Sequence, residues 1–294
     1  MPRLLNALSI DLEDWFHAEL VRPHVAHTWP QRRVEWAVAP ILQLLDRYEV
    51  KATFFVVGDI VEHHPDLVRT LHEAGHEIGC HGWSHRMLWT LEPGLFAEEL
   101  DRFDRAAEAV MPLAEIIGYR APSFSLDERS AWAIDMLLER GYRYDSSIYP
   151  VRTPLYGLPG APDRPYRLDA ADLCREAEGT EGLVEFPMTA WSLVGTAIPI
   201  SGGTYMRFLP QGLWRGLLNR VNQEGRPFVI YAHPWEMDSG TPRVAKLSPG
   251  ERMISYFGID SALQKLEMLL RSFRMAPLRS VLRLSHERVE RAAP

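Results

Sequence analysis

A chain of 294 residues, 46% hydrophobic and 24% charged, has the composition of an ordinary soluble globular protein, and its length suits a single α/β barrel. The net charge of -7 leaves no basic stripe to neutralise phosphates, which argues against nucleic-acid binding. Two cysteines, Cys80 and Cys174, make no disulfide framework. No run approaches the roughly 18–20 apolar residues of a membrane span, and Met1 to Ile10 turns polar too soon for a signal peptide. A cytoplasmic location is the expectation.

In chain order, strand-like and helix-like segments alternate. Leu4 to Ile10 is an apolar run ending in Asp11-Leu12-Glu13-Asp14. Val38, Ile41, Leu42 and Leu45 repeat at helical spacing. Ala52 to Val57 reads as a buried strand closed by Gly58, and Pro65 opens a helix that Gly75 stops. Glu77 to Cys80 is a short strand, followed by His81 and His85. Phe96, Leu100, Phe103, Ala107 and Val110 mark a long helix; Ile116 to Pro122 reads as a strand feeding a loop. A helix around Trp132 to Arg140 ends at Gly141, before a strand Tyr142 to Asp145. Pro150 to Pro165 reads as loop with a hairpin, Leu183 to Met188 as strand, and Pro199 to Pro210 as a lid or substrate loop. Leu213 to Val221 is helical, Phe228 to Ala232 a strand ending at His233, and Leu263 to Phe273 a helix. The tail from Leu282 to Pro294 is expected to fray. Repeated strand-then-helix units imply a parallel sheet, and this many of them a barrel.

Two imidazoles four residues apart, His81 and His85, can converge on one divalent cation. Asp11, His81, Arg120, Asp145 and His233 each follow a predicted strand, so in a parallel barrel all would open onto one face. Asp11, Glu13 and Asp14 supply an acidic third ligand with a carboxylate to spare, and His233 a proton donor. Cys80 reads as a small core residue.

These residues carry a resemblance. Thr53-Phe54-Phe55-Val56-Val57-Gly58, Gly75-His76-Glu77-Ile78-Gly79 leading to His81 and His85, and Arg120-Ala121-Pro122 resemble the polysaccharide deacetylase family, the NodB-homology carbohydrate esterases, over roughly Leu4 to His233. Asp11 to Trp15, Tyr144 to Ser147 and Ser201 to Tyr205 resemble the branch tied to exopolysaccharide and exosortase loci, which has an extra C-terminal segment. The resemblance implies a distorted (β/α) barrel of about seven strand-helix units over residues 1–240, with 241–294 as an extension packed on it. It implies Asp11 as catalytic base, Arg120 as its holder, His233 as acid, and His81 and His85 as metal ligands. The family has adjacent aspartates where this chain has Asp11-Leu12, so the metal carboxylate becomes Asp14 or Glu13. On a strand Glu13 would share the face of Asp11; a turn would favour Asp14, the residue chosen here.

The chemistry is coherent without the family. A divalent metal, zinc first, with cobalt, nickel or iron as alternatives, polarises an amide carbonyl and lowers the pKa of water. Asp11 would take the water's proton, a backbone N–H near Tyr149 would help hold the oxyanion, and His233 would protonate the departing nitrogen. Trp15, Trp83, Tyr149, Trp191, Tyr205 and Trp235 are offered as platforms for sugar rings. Asp145 is read either as a partner for Arg120 or as a turn cap. His76 is expected to bond backbone, while Glu236 and Asp238 are expected on a solvated loop, and His17, His24, His27, His63, His64, His72 and His286 are expected to be structural. The expected activity is metal-dependent removal of N-acetyl groups from an N-acetylhexosamine polysaccharide, with an exopolysaccharide assembly complex as partner. The alternatives are an allantoinase-like hydrolase of cyclic amides and a non-catalytic glycan-binding module.

Overall fold

The computed structural model describes residues 4–25, 31–153, 155–193 and 196–285; His27, His286 and the tail beyond 285 lie outside them. Its centre is a sheet in which seven strands run parallel. They are β1 (Leu5–Leu12), β2 (Thr53–Val56), β3 (Glu77–Cys80), β4 (Gly118–Tyr119), β5 (Tyr144–Asp145), β7 (Val184–Glu185) and β10 (Val229–Ala232). The spatial order is β10-β1-β2-β3-β4-β5-β7-β6, with β6 (Tyr166–Arg167) antiparallel at one edge and β11 (Arg274–Ala276) paired in parallel to the start of β1. The result is a distorted NodB-type (β/α) barrel.

Local sequence explains the elements. β2 is buried along its whole length and β1 along all but Leu5, so they read as near-continuous apolar runs, the signature of strands covered on both faces. Their partners are α1 (Val34–Arg47), α2 (Gly58–His63), α3 (Pro65–Glu73), α4 (Pro93–Glu108) and α5 (Ala133–Glu139). Each of α1, α3, α4 and α5 turns an apolar stripe inward, such as Phe96, Leu100, Phe103 and Ala107 of α4. Gly75 at φ 81° ends α3, a left-handed position that glycine occupies without a Cβ penalty. Cys80 is buried in the core.

After β5 the alternation lapses. Among the described residues of 146–183 there is no helix, and the segment read as loop with a hairpin, apart from the undescribed Pro154, is irregular up to β6. A separate hairpin, β8 (Ala190–Leu193) with β9 (Thr196–Pro199), follows β7. The segment Pro199 to Pro210, expected to be a lid or substrate loop, begins at the last residue of β9 and carries a helix, α6 (Gly203–Phe208), whose Met206 and Arg207 are buried. The paired glycines mark close packing: a Cβ on Gly202 would lie 2.6 Å from the Tyr231 ring. α7 (Gln211–Gln223) leads to β10. Past His233 the chain forms α8 (Pro249–Tyr256), α9 (Ile259–Ser272), β11 and α10 (Leu278–Leu282). No helix among the described residues is long and apolar enough to cross a membrane.

Candidate active site

The C-terminal ends of β1, β3, β4 and β10 bring Asp11, Glu13, His81, His85, Arg120 and His233 into one cluster, buried except at the partly exposed His233. β1 runs to Leu12, so Asp11 and Glu13, two residues apart, emerge toward the same side. His81 is the first residue after β3, and its Nδ1 lies 2.8 Å from the Arg120 carbonyl. A carbonyl only accepts, so Nδ1 carries the proton and Nε2 keeps its lone pair. Burial, with His85 adding to it, lowers the His81 pKa to about 4, which keeps the ring neutral. His85 reaches the cluster because the chain curls back through Gly82 at φ 70° and His85 itself at φ 55°, and Arg22 Nη1 donates to its carbonyl.

Glu13, His81 and His85 offer ligand atoms all within 4.8 Å of one another. Glu13 Oε2 lies 2.8 Å from His85 Nε2, yet the oxygen makes no aligned hydrogen bond, and His85 Nδ1 is also buried without a partner. A buried carboxylate and two imidazoles with unused lone pairs are a donor set suited to a divalent cation such as zinc. Burial pushes the Glu13 carboxyl up, but His85 and His233 overrule it and hold it well below the ordinary carboxylate range. It is therefore an anion at neutral pH.

Asp14, the carboxylate preferred from sequence, points elsewhere. Its Oδ1 accepts from the Trp15 amide at 2.9 Å, and its Oδ2 from the Arg33 and Val34 amides at 2.7 and 3.2 Å. It caps two helical starts, the turn at Trp15 and α1, where orphan N–H groups need acceptors. The alternative, Glu13, occupies the place beside the histidines.

Arg120 is fully buried and fans out over the barrel mouth. Nη1 donates to Asp11 Oδ1 at 2.5 Å and to Ser9 Oγ at 2.8 Å. Nε and Nη2 donate to the Ser146 carbonyl and Oγ at 2.9 and 3.0 Å. The guanidinium also lies 4.1 Å over the Phe55 ring. Asp145 caps a turn: its oxygens accept from Ser147 N and Oγ at 3.0 and 2.6 Å.

His233 stands across the cluster from His81. Its Nε2 is 3.4 Å from Glu13 Oε1 and 3.9 Å from Asp11 Oδ2, and its Nδ1 is 2.8 Å from Glu236 Oε2. Burial pulls this histidine down, but Glu13, Glu236 and Asp11 outweigh burial and raise it to about 9. The ring is thus a cation at neutral pH.

Glu236 and Asp238 do not decorate a solvated loop. Glu236 is 1% exposed and pairs with the buried Arg207 at 2.9 Å, while Asp238 pairs with Arg33 at 2.7 Å. Arg207 and Glu236 are the polar residues that sequence reasoning missed. A signal existed: His233-Pro234-Trp235-Glu236 has the spacing of a capping box, which this turn forms.

The aromatic residues divide. Trp15 is 1% exposed, with Nε1 on the Gln31 carbonyl, so it is core packing and no sugar platform. Tyr149 is fully buried, its hydroxyl donating to the Ser201 carbonyl at 2.9 Å. Trp83 packs against Gly58, where a Cβ would fall 2.3 Å from its ring, and Arg102 lies over it at 4.3 Å. Trp235 stacks on His233 at 5.2 Å and donates to Glu13 Oε1 at 3.1 Å, so it braces the cluster. Trp191 on β8 and Tyr205 on α6 are partly exposed. His76 accepts from the Ala52 amide at 3.2 Å and stays out of the site.

Residues 22–143 match the family model described as Polysaccharide deacetylase, and residues 146–283 match the one described as Domain of unknown function (DUF3473). A peptidoglycan deacetylase-like protein of Gibberella zeae is 30% identical over 48% of this chain and 40% of its own. A chitooligosaccharide deacetylase of Bradyrhizobium is 35% identical over 28% of this chain and 37% of its own. The matched segments thus span two fifths or less of these relatives. A solved structure of a putative polysaccharide deacetylase from Mycobacterium smegmatis, 21% identical, has a TM-score of 0.58 and covers 98% of this chain and 96% of its own. The solved structure shows a shared fold, and residues 22–143 carry the sequence likeness to the polysaccharide deacetylases.

Proposed function

We propose that this chain is a metal-dependent N-deacetylase of an N-acetylhexosamine polymer. The observation that supports this best is the convergence of Glu13, His81 and His85 beside an Arg120-held Asp11 and a protonated His233. In this reading Glu13, His81 and His85 hold a divalent cation, zinc first, which would polarise the amide carbonyl and acidify water. Arg120 holds Asp11 in position through the contact of its Nη1 with Oδ1, so that Asp11 takes the proton from the attacking water. A backbone N–H near Tyr149 assists at the oxyanion. His233, on the opposite side, gives its proton to the departing nitrogen. The products are acetate and a free amino sugar.

The names of the relatives, peptidoglycan deacetylase-like and chitooligosaccharide deacetylase, support a glycan substrate. The residues Ser201 to Tyr205 and the extension from 241 to 294 favour an exopolysaccharide as the polymer and its assembly complex as partner. Burial of Trp15 and Tyr149 removes two of the six aromatic side chains offered as platforms for a sugar. Allantoin therefore belongs in the same experiment.

The test is acetate release from N-acetylglucosamine oligomers after chelation and after adding back zinc or cobalt, with bound metal quantified. Wild type would run beside Asp11→Asn and His85→Ala. Metal-restored release that both substitutions abolish supports the reading. Bound metal with ureide hydrolysis and no acetate moves the activity to cyclic amides, and a protein with neither metal nor turnover is a binding module.

A further inference from the structure

His233 is held from behind by a chain of hydrogen bonds that begins beyond residue 240. The Ile254 carbonyl, in the last turn of α8, accepts from Arg207 Nη2 at 2.7 Å. The Phe257 carbonyl, at the corner between α8 and α9, accepts from Arg207 Nη1. The same guanidinium grips Glu236 Oε1 through Nε at 3.1 Å and Nη2 at 2.9 Å. Glu236 Oε2 then lies 2.8 Å from His233 Nδ1 and accepts from the His233 amide at 3.1 Å. Arg207 and Glu236 are both about 1% exposed.

Three further features fix the chain of contacts. Lys265 of α9 donates to the carbonyls of Met206, Arg207 and Leu209, each at 2.8 Å, tying the end of α6 to α9. Gly258 turns the α8–α9 corner at φ +73°, and a Cβ there would fall 3.0 Å from the Arg207 carbonyl. Gly203 leaves room for the carboxylate: a Cβ would fall 1.7 Å from Glu236 Oε2. A guanidinium whose fork meets two carbonyls and one carboxylate has its geometry fixed on every side.

We propose that α8 and α9 act on the active site through this relay, with Arg207 and Glu236 as positioning residues that fix the ring orientation of His233. Held at Nδ1, the ring presents Nε2 to the space beside Asp11 and Glu13, where a leaving nitrogen is protonated. The segment past residue 240 is then part of the catalytic apparatus. The relay rests on His233 being the acid, and the experiment separates the two.

A general acid matters for a poor leaving group and little for a good one. The metal-loaded enzyme would be assayed on N-acetylglucosamine oligomers, whose amine needs a proton, and on p-nitrophenyl acetate, whose phenolate leaves unaided. The relay predicts that Glu236→Gln and Arg207→Met lower kcat on the amide about 10-fold or more, KM staying within about twofold. Turnover of the ester stays within about twofold of wild type, and Arg207→Lys falls between. A purely structural role would lower both substrates together. Glu236→Gln is isosteric and decides the matter if the Arg207 variants do not fold. Equal losses on both substrates, or no amide loss, while His233→Ala is amide-selective, overturn the relay and leave the acid standing. A His233→Ala enzyme without that selectivity, or a wild type idle on the amide, overturns the acid and the relay with it.

Discussion

The two sides of the barrel mouth are built differently. On the β1–β3 side, Asp11, Glu13, His81 and His85 leave the two parallel strands that flank β2, whose register is set by the ladder, Asp11 opposite Phe55 and Val56 opposite Cys80. On the β10 side, His233 takes its orientation from Glu236, three residues on, and from Arg207 on α6. One side is placed by strands and the other is aimed by side chains. Substitutions on the first side should therefore remove chemistry or metal outright, and those on the second should misdirect a group that is still present.

The largest effect belongs to Asp11. Asp11→Asn keeps size and hydrogen bonding but cannot take a proton, so kcat should fall by about 10²–10⁴-fold with bound cation unchanged. Steady-state kinetics beside metal analysis checks both parts. A variant retaining a tenth of wild-type turnover would place the base elsewhere and dissolve the contrast between the two sides.

Arg120 should follow, read in stability. Arg120→Met strips Asp11 of its one ion pair within 3 Å among the described residues and takes a donor from Ser9 and Ser146. Breaking a buried pair from one side costs about 3–5 kcal/mol. Urea unfolding of the metal-free protein measures this, and a loss below about 1 kcal/mol would mean that water reaches the pair.

The difference between the sides also governs what the sequence reveals. Asp11, His81, Arg120 and His233 are legible because each sits at the end of an apolar run, where the parallel fold has to put it. Of the other pair, Glu236 shows only its capping spacing from His233, and no local pattern says that it will fold under and meet Arg207 on a helix 29 residues earlier. The same limit turned an expected lid or substrate loop into the end of β9 and α6: Gly202-Gly203 reads as flexible in isolation, but tertiary contact with Tyr231 and Glu236 makes it tight packing. Large aromatics near strand ends were offered as sugar platforms, although Trp15 and Tyr149 lie in the core, where such side chains bury most area.

The foot of the sheet supplies a control that should respond to pH and not to metal. His76 lies just before β3, away from the mouth, and burial with help from Lys51 lowers it to about 4 from 6.5. Below pH 6.5 the unfolded chain takes up a proton that the folded ring refuses until about pH 4. Stability is thus present above 6.5 and lost as pH falls toward 4, by roughly 2–3 kcal/mol. Thermal melts between pH 7 and 4.5 should show a shallower decline for His76→Gln than for wild type. Parallel curves would remove His76 as the source.

The smallest effect distinguishes the two neighbouring carboxylates, and it is the sharpest test of how β1 ends. Glu13→Gln should lose most of the bound zinc, because the amide removes the negative charge that the carboxylate brings beside His81 and His85. Asp14→Asn should keep the zinc and lose only part of a cap. Its carboxylate serves the amides of Trp15, Arg33 and Val34, and asparagine can keep one oxygen on these donors while its NH₂ faces the rest. A loss of about 1 kcal/mol in urea unfolding is expected, within the range measured for helix caps. Burial already pushes the Asp14 carboxyl up despite these donors, which limits what the charge contributes. If Asp14→Asn instead loses the metal while Glu13→Gln retains it, the chain turns after Asp11 rather than continuing as a strand. The ligand set would then have to be redrawn around Asp14.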